Sequence, residues 1–150
     1  MRRFSLLVAA FGLLLTAVVA DEVKLDGIKC LVNPKAAAKA DKSADYKDGK
    51  VYFCCDNCPK AFAKDEKKFS TSANTQLVAT GQAKQAKCPL SGGDLNKDTE
   101  ITVAGAKVQF CCNNCKGKVE KATGEEQAKM VFGDEAFTKA GFKVEKKKTN

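Results

Sequence analysis

The residues of this chain that could do chemistry are its eight cysteines, which fall into two copies of one pattern. In each copy a lone cysteine is followed 24 or 23 positions later by a Cys-Cys-x-x-Cys cluster. Thiol sulfur can bind soft metal ions, form disulfides or act as a redox nucleophile. The agreement between the copies indicates duplication of a small unit organised around its thiols. The members are Cys30, Cys54, Cys55 and Cys58 in the first copy, and Cys88, Cys111, Cys112 and Cys115 in the second.

The residues next to the clusters repeat as well. Residues 50–58 read Lys-Val-Tyr-Phe-Cys-Cys-Asp-Asn-Cys, and residues 107–115 read Lys-Val-Gln-Phe-Cys-Cys-Asn-Asn-Cys. Each repeat is about 57 residues long, a size at which the core is small and a disulfide or a metal is often needed for stability. The cysteines are therefore expected to stabilise the fold in addition to any function that they have.

Each cluster is expected to lie between a β-hairpin and a helix. In the first copy Asp48-Gly49 is typical of a tight turn before a strand over residues 50–53, and in the second a turn near Ala104-Gly105 joins residues 100–103 to 107–110. Asparagine, aspartate and proline after the strands favour a helix start, where the helix dipole stabilises thiolates. One sulfur from a turn, one from a strand end and one from a first helical turn should therefore converge.

The rest of the chain is expected to complete an α+β fold of two hairpin-plus-helix repeats with additional short helices. We expect helices over residues 69–80, 125–132 and 134–140, a connector over 81–87, a loose helical turn or loop over 35–42, some strand character over 21–28 and a frayed end over 143–150. Apolar side chains at equivalent helix positions and several phenylalanines should fill the core. These are Phe62 and Val119 on the helices, with Phe53, Phe69, Phe110, Phe132 and Phe137.

Three sulfurs per copy are the expected main metal ligands, because adjacent cysteines rarely both reach one ion without local strain. These are Cys30, Cys54 and Cys58 in the first copy and Cys88, Cys111 and Cys115 in the second. Cys55 and Cys112 are candidates for a fourth ligand. Thiolates favour zinc or copper(I) over magnesium or calcium, and the sequence does not choose between the two. Five lysines could offset the negative charge of such sites: Lys29, Lys50, Lys60, Lys87 and Lys107.

At this point the sequence resembles the YHS/TRASH-type domains, which are small treble-clef-like metal-binding modules. Their pattern of a cysteine, about twenty residues, aromatic residues and then Cys-x-x-x-Cys matches Cys30, Tyr52-Phe53, Cys54 and Cys58, and again Cys88, Phe110, Cys111 and Cys115. The resemblance implies two tandem treble-clef-like repeats that handle or sense metal. Residues 87–92 are similar to the Cys-Pro-Val-Ser-Gly opening of exported bacterial members. Gln109 stands where an aromatic residue would be, so the second site is expected to be looser or structural.

The first twenty residues are interpreted as a secretory signal peptide. Arg2 and Arg3 precede an apolar run from Phe4 to Val19, and small residues end at Ala20, after which cleavage is expected. The run is too short for a comfortable membrane span, so we expect a periplasmic or secreted protein without stable membrane insertion. The predicted organisation is a signal peptide (1–20), a first cysteine repeat (21–82), a second (83–142) and a lysine-rich tail (143–150).

Composition excludes several classes of function. Removal of Arg2 and Arg3 leaves 24 lysines against 18 acidic residues, a net charge of +6. The absence of arginine and tryptophan from the remaining chain argues against nucleic-acid binding. The chain has no histidine, which excludes Ser-His and Cys-His nucleophile pairs and mixed Cys/His zinc sites. We therefore expect no enzyme activity. The sequence does not identify a protein partner.

Two alternatives to metal binding remain open at this level. An even cysteine count behind a signal peptide is also typical of a disulfide-stapled secreted structural or interaction protein. The Cys-x-x-Cys spacings within the clusters also occur in dithiol redox proteins. The favoured interpretation is an exported protein with two thiolate sites that handles zinc or copper, or uses the metal to stabilise an interaction module.

Overall fold

The computed structural model describes residues 23–145, which form five helices and three two-stranded antiparallel sheets. This architecture confirms the predicted α+β class. The predicted signal peptide and the lysines at 146–148 lie outside the described residues. The strands are β1 (Lys39–Tyr46), β2 (Gly49–Phe53), β3 (Ala83–Lys84), β4 (Asn96–Val103), β5 (Ala106–Phe110) and β6 (Lys143–Val144), and the helices are α1 (Asn57–Lys64), α2 (Glu66–Ala79), α3 (Asn113–Lys121), α4 (Gly124–Phe132) and α5 (Asp134–Lys139).

The hairpin β1–β2 forms as predicted, but its turn lies one residue earlier than expected. Tyr46 pairs with Gly49, so the two turn residues are Lys47 and Asp48, with φ of 46° and 64°. Gly49 is instead required by packing, because a Cβ there would lie 2.7 Å from Cδ2 of Leu77 on α2. The glycine thus permits the close approach of a helix and is not a turn residue.

The hairpin β4–β5 has the predicted turn at Ala104 and Gly105, both with positive φ. Each long first strand also has an irregular register, between Lys39 and Ser43 in β1 and between Asn96 and Ile101 in β4. The two hairpins therefore share a bulged geometry as well as a similar sequence.

Two expectations about the segments before the first hairpin are wrong. The alanine- and lysine-rich residues 35–42 are not a helical turn or loop throughout, because β1 begins at Lys39, which pairs with Phe53. Residues 23–28 form no strand, and the nearest pairing is an isolated bridge between Lys29 and Ala37. Pairing with a buried strand here overrides the weak β propensity of alanine and lysine.

The helices follow the predicted plan with small shifts in their ends. Helices α1 and α3 begin inside the cysteine clusters, and they bury Phe62 and Val119. Helix α2 begins at Glu66 rather than Phe69, because the Asp65 side chain caps it by accepting a hydrogen bond of 3.1 Å from the Lys68 N–H. Within residues 23–145 no helix combines the length and apolar character needed to cross a bilayer.

The two halves share one core. Helix α2 of the first half packs against β2 and also against β5, α4 and α5 of the second half. Strands β3 and β6 pair with each other, so residues 143–144 are ordered by pairing and not part of a frayed end. The predicted boundary between residues 82 and 83 stays a prediction. The largest side chains enclosed in this core are Phe53, Phe62, Phe110, Phe132 and Leu77.

Candidate metal centres

Each lone cysteine lies on a tight loop closed by backbone hydrogen bonds. In the first half the Cys30 N–H donates to the Ala36 carbonyl at 2.9 Å, and the Ala36 N–H donates to Asn33. In the second half the Cys88 N–H donates to the Gly93 carbonyl at 2.9 Å. Both cysteines are buried, at 1% and 0% exposure, so their sulfurs face the interior.

The paired cysteines lie where each hairpin ends and a helix begins. Cys54 directly follows β2, and Cys58 is the second residue of α1. Cys111 directly follows β5, and Cys115 is the third residue of α3. The chain turns sharply between each strand end and the following helix, and this turn brings Cys54 near Cys58 and Cys111 near Cys115.

Three sulfurs converge in each half. The Sγ atoms of Cys30, Cys54 and Cys58 all lie within 4.8 Å of one another, and so do those of Cys88, Cys111 and Cys115. The Cys54–Cys58 and Cys111–Cys115 separations are both 3.7 Å. A tetrahedral ion with metal–sulfur bonds of about 2.3 Å requires sulfurs about 3.8 Å apart. The paired sulfurs of each triad therefore already have the spacing of metal ligands, and the lone sulfur lies within 4.8 Å of both.

Cys55 and Cys112 lie outside both triads, at their exposed edges. Cys55 Sγ is 3.4 Å from the sulfur of Cys58, and Cys112 Sγ is 3.6 Å from that of Cys111. Of the eight candidate ligands, the structure thus brings six into two groups and leaves one exposed thiol beside each group. This arrangement is the one expected from the difficulty of directing adjacent side chains at one ion.

In the first site the pKa values of two thiols are shifted in opposite directions. Burial would raise the pKa of Cys30, but N–H donors from Asn33, Cys54 and Val32 outweigh it and hold the pKa below its usual value. Burial raises the pKa of Cys58 strongly, and the neighbouring thiol of Cys55 raises it further. The thiolate form of Cys30 is therefore stabilised relative to an ordinary cysteine, whereas the proton of Cys58 must be displaced when an ion binds.

The second site repeats this arrangement with a hydroxyl added. Burial would raise the pKa of Cys88, but hydrogen bonds from the Ser91 hydroxyl and from backbone N–H groups lower it to about 7. Burial and the hydrogen bond with Cys111 raise the pKa of Cys115 to about 12. Ser91 Oγ also lies 3.1 Å from Cys111 Sγ. The Cys115 side chain is half-buried whereas Cys58 is buried, so the second site is the more open of the two.

The exposed thiols are also stabilised as thiolates. The pKa of Cys55 is lowered by its hydrogen bond with Cys58 and by the N–H groups of Asn57 and Cys58. The pKa of Cys112 is lowered chiefly by the N–H of Cys115. The N–H contributions come from the N-terminal turns of α1 and α3, where N–H groups have no partner within the helix.

Several lysines expected to offset the charge of the sites pair with carboxylates instead. Lys50 lies 3.6 Å from Asp45, and Lys107 lies 3.1 Å from Glu100. Lys87 pairs with Asp94. The pKa values of the thiols are instead lowered by backbone N–H groups at the loops and helix starts, together with the Ser91 hydroxyl and neighbouring thiols. Of these contributions, only that of the helix starts was expected from the sequence.

Two glutamines that no sequence motif marks bond to the backbone segments that carry the candidate ligands. Gln76 on α2 and Gln85 after β3 each bond to the backbone of a hairpin strand and to the residue before the lone cysteine. No repeat signal could have found them, because they do not occupy equivalent positions in the two copies.

Comparison of the chain with protein-family models, with curated proteins and with solved structures gives no match. The likeness to YHS/TRASH-type domains therefore rests on the cysteine and aromatic spacing alone. The two sulfur triads are compatible with a cysteine-rich metal-binding domain.

Proposed function

We propose that this chain is an exported soft-metal-binding protein with two thiolate sites, which takes up zinc or copper(I) for storage, delivery or detoxification. The observation that carries the proposal is the convergence of three sulfurs within 4.8 Å in each half. Each triad joins a loop cysteine to a pair more than twenty residues away in the chain. Convergence at two duplicated positions is unexpected for cysteines that only fill a core.

The donor set favours a soft ion. Both groups consist of sulfur alone, without a carboxylate, and the chain has no histidine. Zinc and copper(I) accept such ligands, whereas magnesium and calcium prefer oxygen. Cys30, Cys54 and Cys58 would hold one ion, and Cys88, Cys111 and Cys115 the other.

An exchanging site is favoured over a purely structural one. Structural zinc sites are usually closed by four protein ligands, whereas each triad here offers three. The exposed thiols of Cys55 and Cys112 lie at the edge of the triads, where they could complete the coordination or pass an ion to another thiol.

The disulfide alternative also has an observation in its favour. Cys55 and Cys58 have the shortest sulfur separation among the hydrogen-bonded cysteine pairs, 3.4 Å, and a bond of about 2.05 Å could form between them after a small movement. That bond would remove Cys58 from the first triad. Metal binding and disulfide formation therefore compete for the same sulfur, and the redox state of the purified protein decides between them.

Export is proposed from the sequence pattern of residues 1–20, with cleavage after Ala20 into the periplasm or medium. We propose no catalytic step, no nucleic-acid partner and no stable membrane insertion after cleavage. The intact mass of the protein recovered from the periplasm checks the cleavage site. A mass that retains residues 1–20 would contradict export in this form.

The metal assignment is tested by elemental analysis and thiol counting on protein purified from its own compartment, with and without reductant. We expect two equivalents of zinc or copper in the wild type and one in the Cys54→Ser/Cys58→Ser variant. The matched variant Cys111→Ser/Cys115→Ser should also retain one. The combination of all four substitutions should retain none.

Two outcomes would contradict the proposal. Unchanged metal content in the first variant would mean that these sulfurs are not ligands. A metal-free wild type with few free thiols before reduction and eight after it would favour the disulfide-stapled protein instead.

A further inference from the structure

One glutamine side chain in the first half joins the two parts of its sulfur site. Gln76 Oε1 accepts a hydrogen bond of 2.6 Å from the Tyr52 N–H, and Gln76 Nε2 donates to the carbonyls of Tyr52 and Lys29, both at 3.0 Å. Tyr52 lies two residues before Cys54, and Lys29 immediately precedes Cys30. A single amide, 4% exposed, thus connects the strand that leads to the cysteine pair with the loop of the lone cysteine.

The second half has the same connection, made by a residue from a different place in the chain. Gln85 Oε1 accepts from the Gln109 N–H at 3.0 Å, and Gln85 Nε2 donates to the carbonyls of Gln109 at 2.7 Å and Lys87 at 2.9 Å. Gln109 lies two residues before Cys111, and Lys87 immediately precedes Cys88. The three backbone groups are equivalent to those that Gln76 contacts.

The two glutamines reached this arrangement from non-equivalent positions. Gln76 lies on a helix after its hairpin, whereas Gln85 lies in the connector before its hairpin. Simple inheritance from the duplicated unit therefore does not explain the shared contacts. The recurrence indicates a requirement of the site.

The peptide bond before each lone cysteine is fixed at both ends. The carbonyl of this peptide accepts a hydrogen bond from the glutamine. Its N–H belongs to the lone cysteine and donates to a carbonyl of the loop, which is that of Ala36 for Cys30 and that of Gly93 for Cys88. Rotation of this peptide would move the lone sulfur relative to the pair. The glutamine opposes that rotation because the same amide is also bonded to the strand.

We propose that Gln76 and Gln85 are positioning residues. Each sets the distance between the lone sulfur and the paired sulfurs of one site, and this distance determines the metal affinity of that site. This inference rests on the proposed metal-binding function. Neither glutamine is a ligand. Groups that orient metal ligands in this way typically change affinity by about 10- to 100-fold when they are removed.

The test uses Co²⁺ as a spectroscopic probe in reduced full-length protein that retains one site. In the Cys111→Ser/Cys115→Ser background, which keeps the first site, Gln76→Met should weaken Co²⁺ binding about 10- to 100-fold and reduce the sulfur-to-cobalt charge-transfer band. Methionine has a similar length and cannot make the amide bonds. In the same background Gln85→Met should leave affinity unchanged within about twofold, since the bonds of Gln85 go to Lys87 and Gln109 in the second half.

A second control separates positioning of the site from stability of the strand. Gln82 bonds to the N–H and carbonyl of Lys50 on the same strand, at 2.8 and 2.7 Å, but not to the loop of Cys30. Gln82→Met should therefore leave Co²⁺ affinity and the charge-transfer band of the first site near the wild-type values. An equal loss in Gln82→Met and Gln76→Met would overturn the positioning role.

The reciprocal experiment keeps the inference testable if Gln76→Met does not fold. In the Cys54→Ser/Cys58→Ser background, which retains the second site, the half-buried Gln85 is replaced by methionine and the same loss is expected. Equal affinity with and without the substitution would refute the inference while leaving metal binding intact. A wild type that binds no Co²⁺ would overturn both the inference and the proposed function.

Discussion

Replacement of Asn74 by alanine should destabilise both halves of the protein together. Asn74 is fully buried on α2 and bonds to groups from both halves. Its Nδ2 donates to the Phe132 carbonyl at 2.8 Å and to the Asp134 carboxylate at 3.1 Å. Its Oδ1 accepts from the Tyr46 hydroxyl at 3.2 Å and from Lys47 Nζ at 3.0 Å. The Asn74 side chain thus links the turn between β1 and β2 to the junction of α4 and α5.

The expected loss can be worked out from these four contacts. Lys47 and Asp134 remain paired with each other at 2.9 Å in the variant, so removal of Asn74 leaves their charges largely compensated. The Phe132 carbonyl and the Tyr46 hydroxyl lose a partner in a buried or half-buried setting. At about 1–2 kcal/mol for each of these two groups, the expected decrease in the free energy of unfolding is about 3 kcal/mol. That is a large share of the 5–15 kcal/mol typical of a folded domain.

The assay is urea unfolding of the reduced, metal-free protein followed by circular dichroism, with Asn96→Ala as the control. The Asn96 side chain is exposed and accepts one local bond from the Asp98 N–H, so its loss should change stability by less than about 0.5 kcal/mol. Both variants should unfold in a single transition, because α2 contacts both hairpins. A loss below about 1 kcal/mol for Asn74→Ala, or two separate transitions, would refute the reasoning.

Three further predictions concern packing and the thiols. Gly49→Ala should destabilise the fold by about 1–3 kcal/mol, because the new Cβ would meet side chains of α2 and β6 at less than 3.0 Å. The control Gly117→Ala has open space around its Cβ and should be neutral or stabilising in thermal unfolding. The zinc affinity of the second site should rise at least about tenfold per pH unit between about pH 6 and 8. The reason is that the pKa of Cys115 is about 12, so this thiol must lose its proton when zinc binds. Competition titrations measure the affinity, and a flat pH profile would contradict the prediction. The Cys55→Ser/Cys112→Ser variant should retain two equivalents of metal but transfer them more slowly to an external thiol chelator, and loss of both equivalents would instead make these residues essential ligands.

The repeated spacing of the cysteines was the most informative part of the sequence. It predicted the grouping of the lone sulfur with the first and last cysteines of each cluster. The turn residues and the polar residues beside the clusters predicted both hairpins and the helix starts. These features depend on local chemistry that occurs twice, so each copy supports the interpretation of the other. Cys55 and Cys112 were expected as candidate fourth ligands, and the structure places them exposed and outside the two triads.

What the sequence could not predict depends on contacts between distant segments. Gly49 follows an aspartate and has the appearance of a turn residue, but the packing of α2 determines its role. Strand β1 begins in a segment of weak β propensity because its partner ends at the buried Phe53. Gln76 and Gln85 lie in polar stretches without a motif, and only the fold brings their amides to the ligand backbone.

The glutamine side chains also occupy backbone groups on the outer edges of the two hairpins. A two-stranded hairpin leaves backbone donors and acceptors along its outer edge, where a strand of another molecule could add. In β2 the groups of Lys50 and Tyr52 are occupied by Gln82 and Gln76, and in β5 those of Gln109 are occupied by Gln85. These backbone groups are therefore already paired within the molecule and are not available to a strand added from outside.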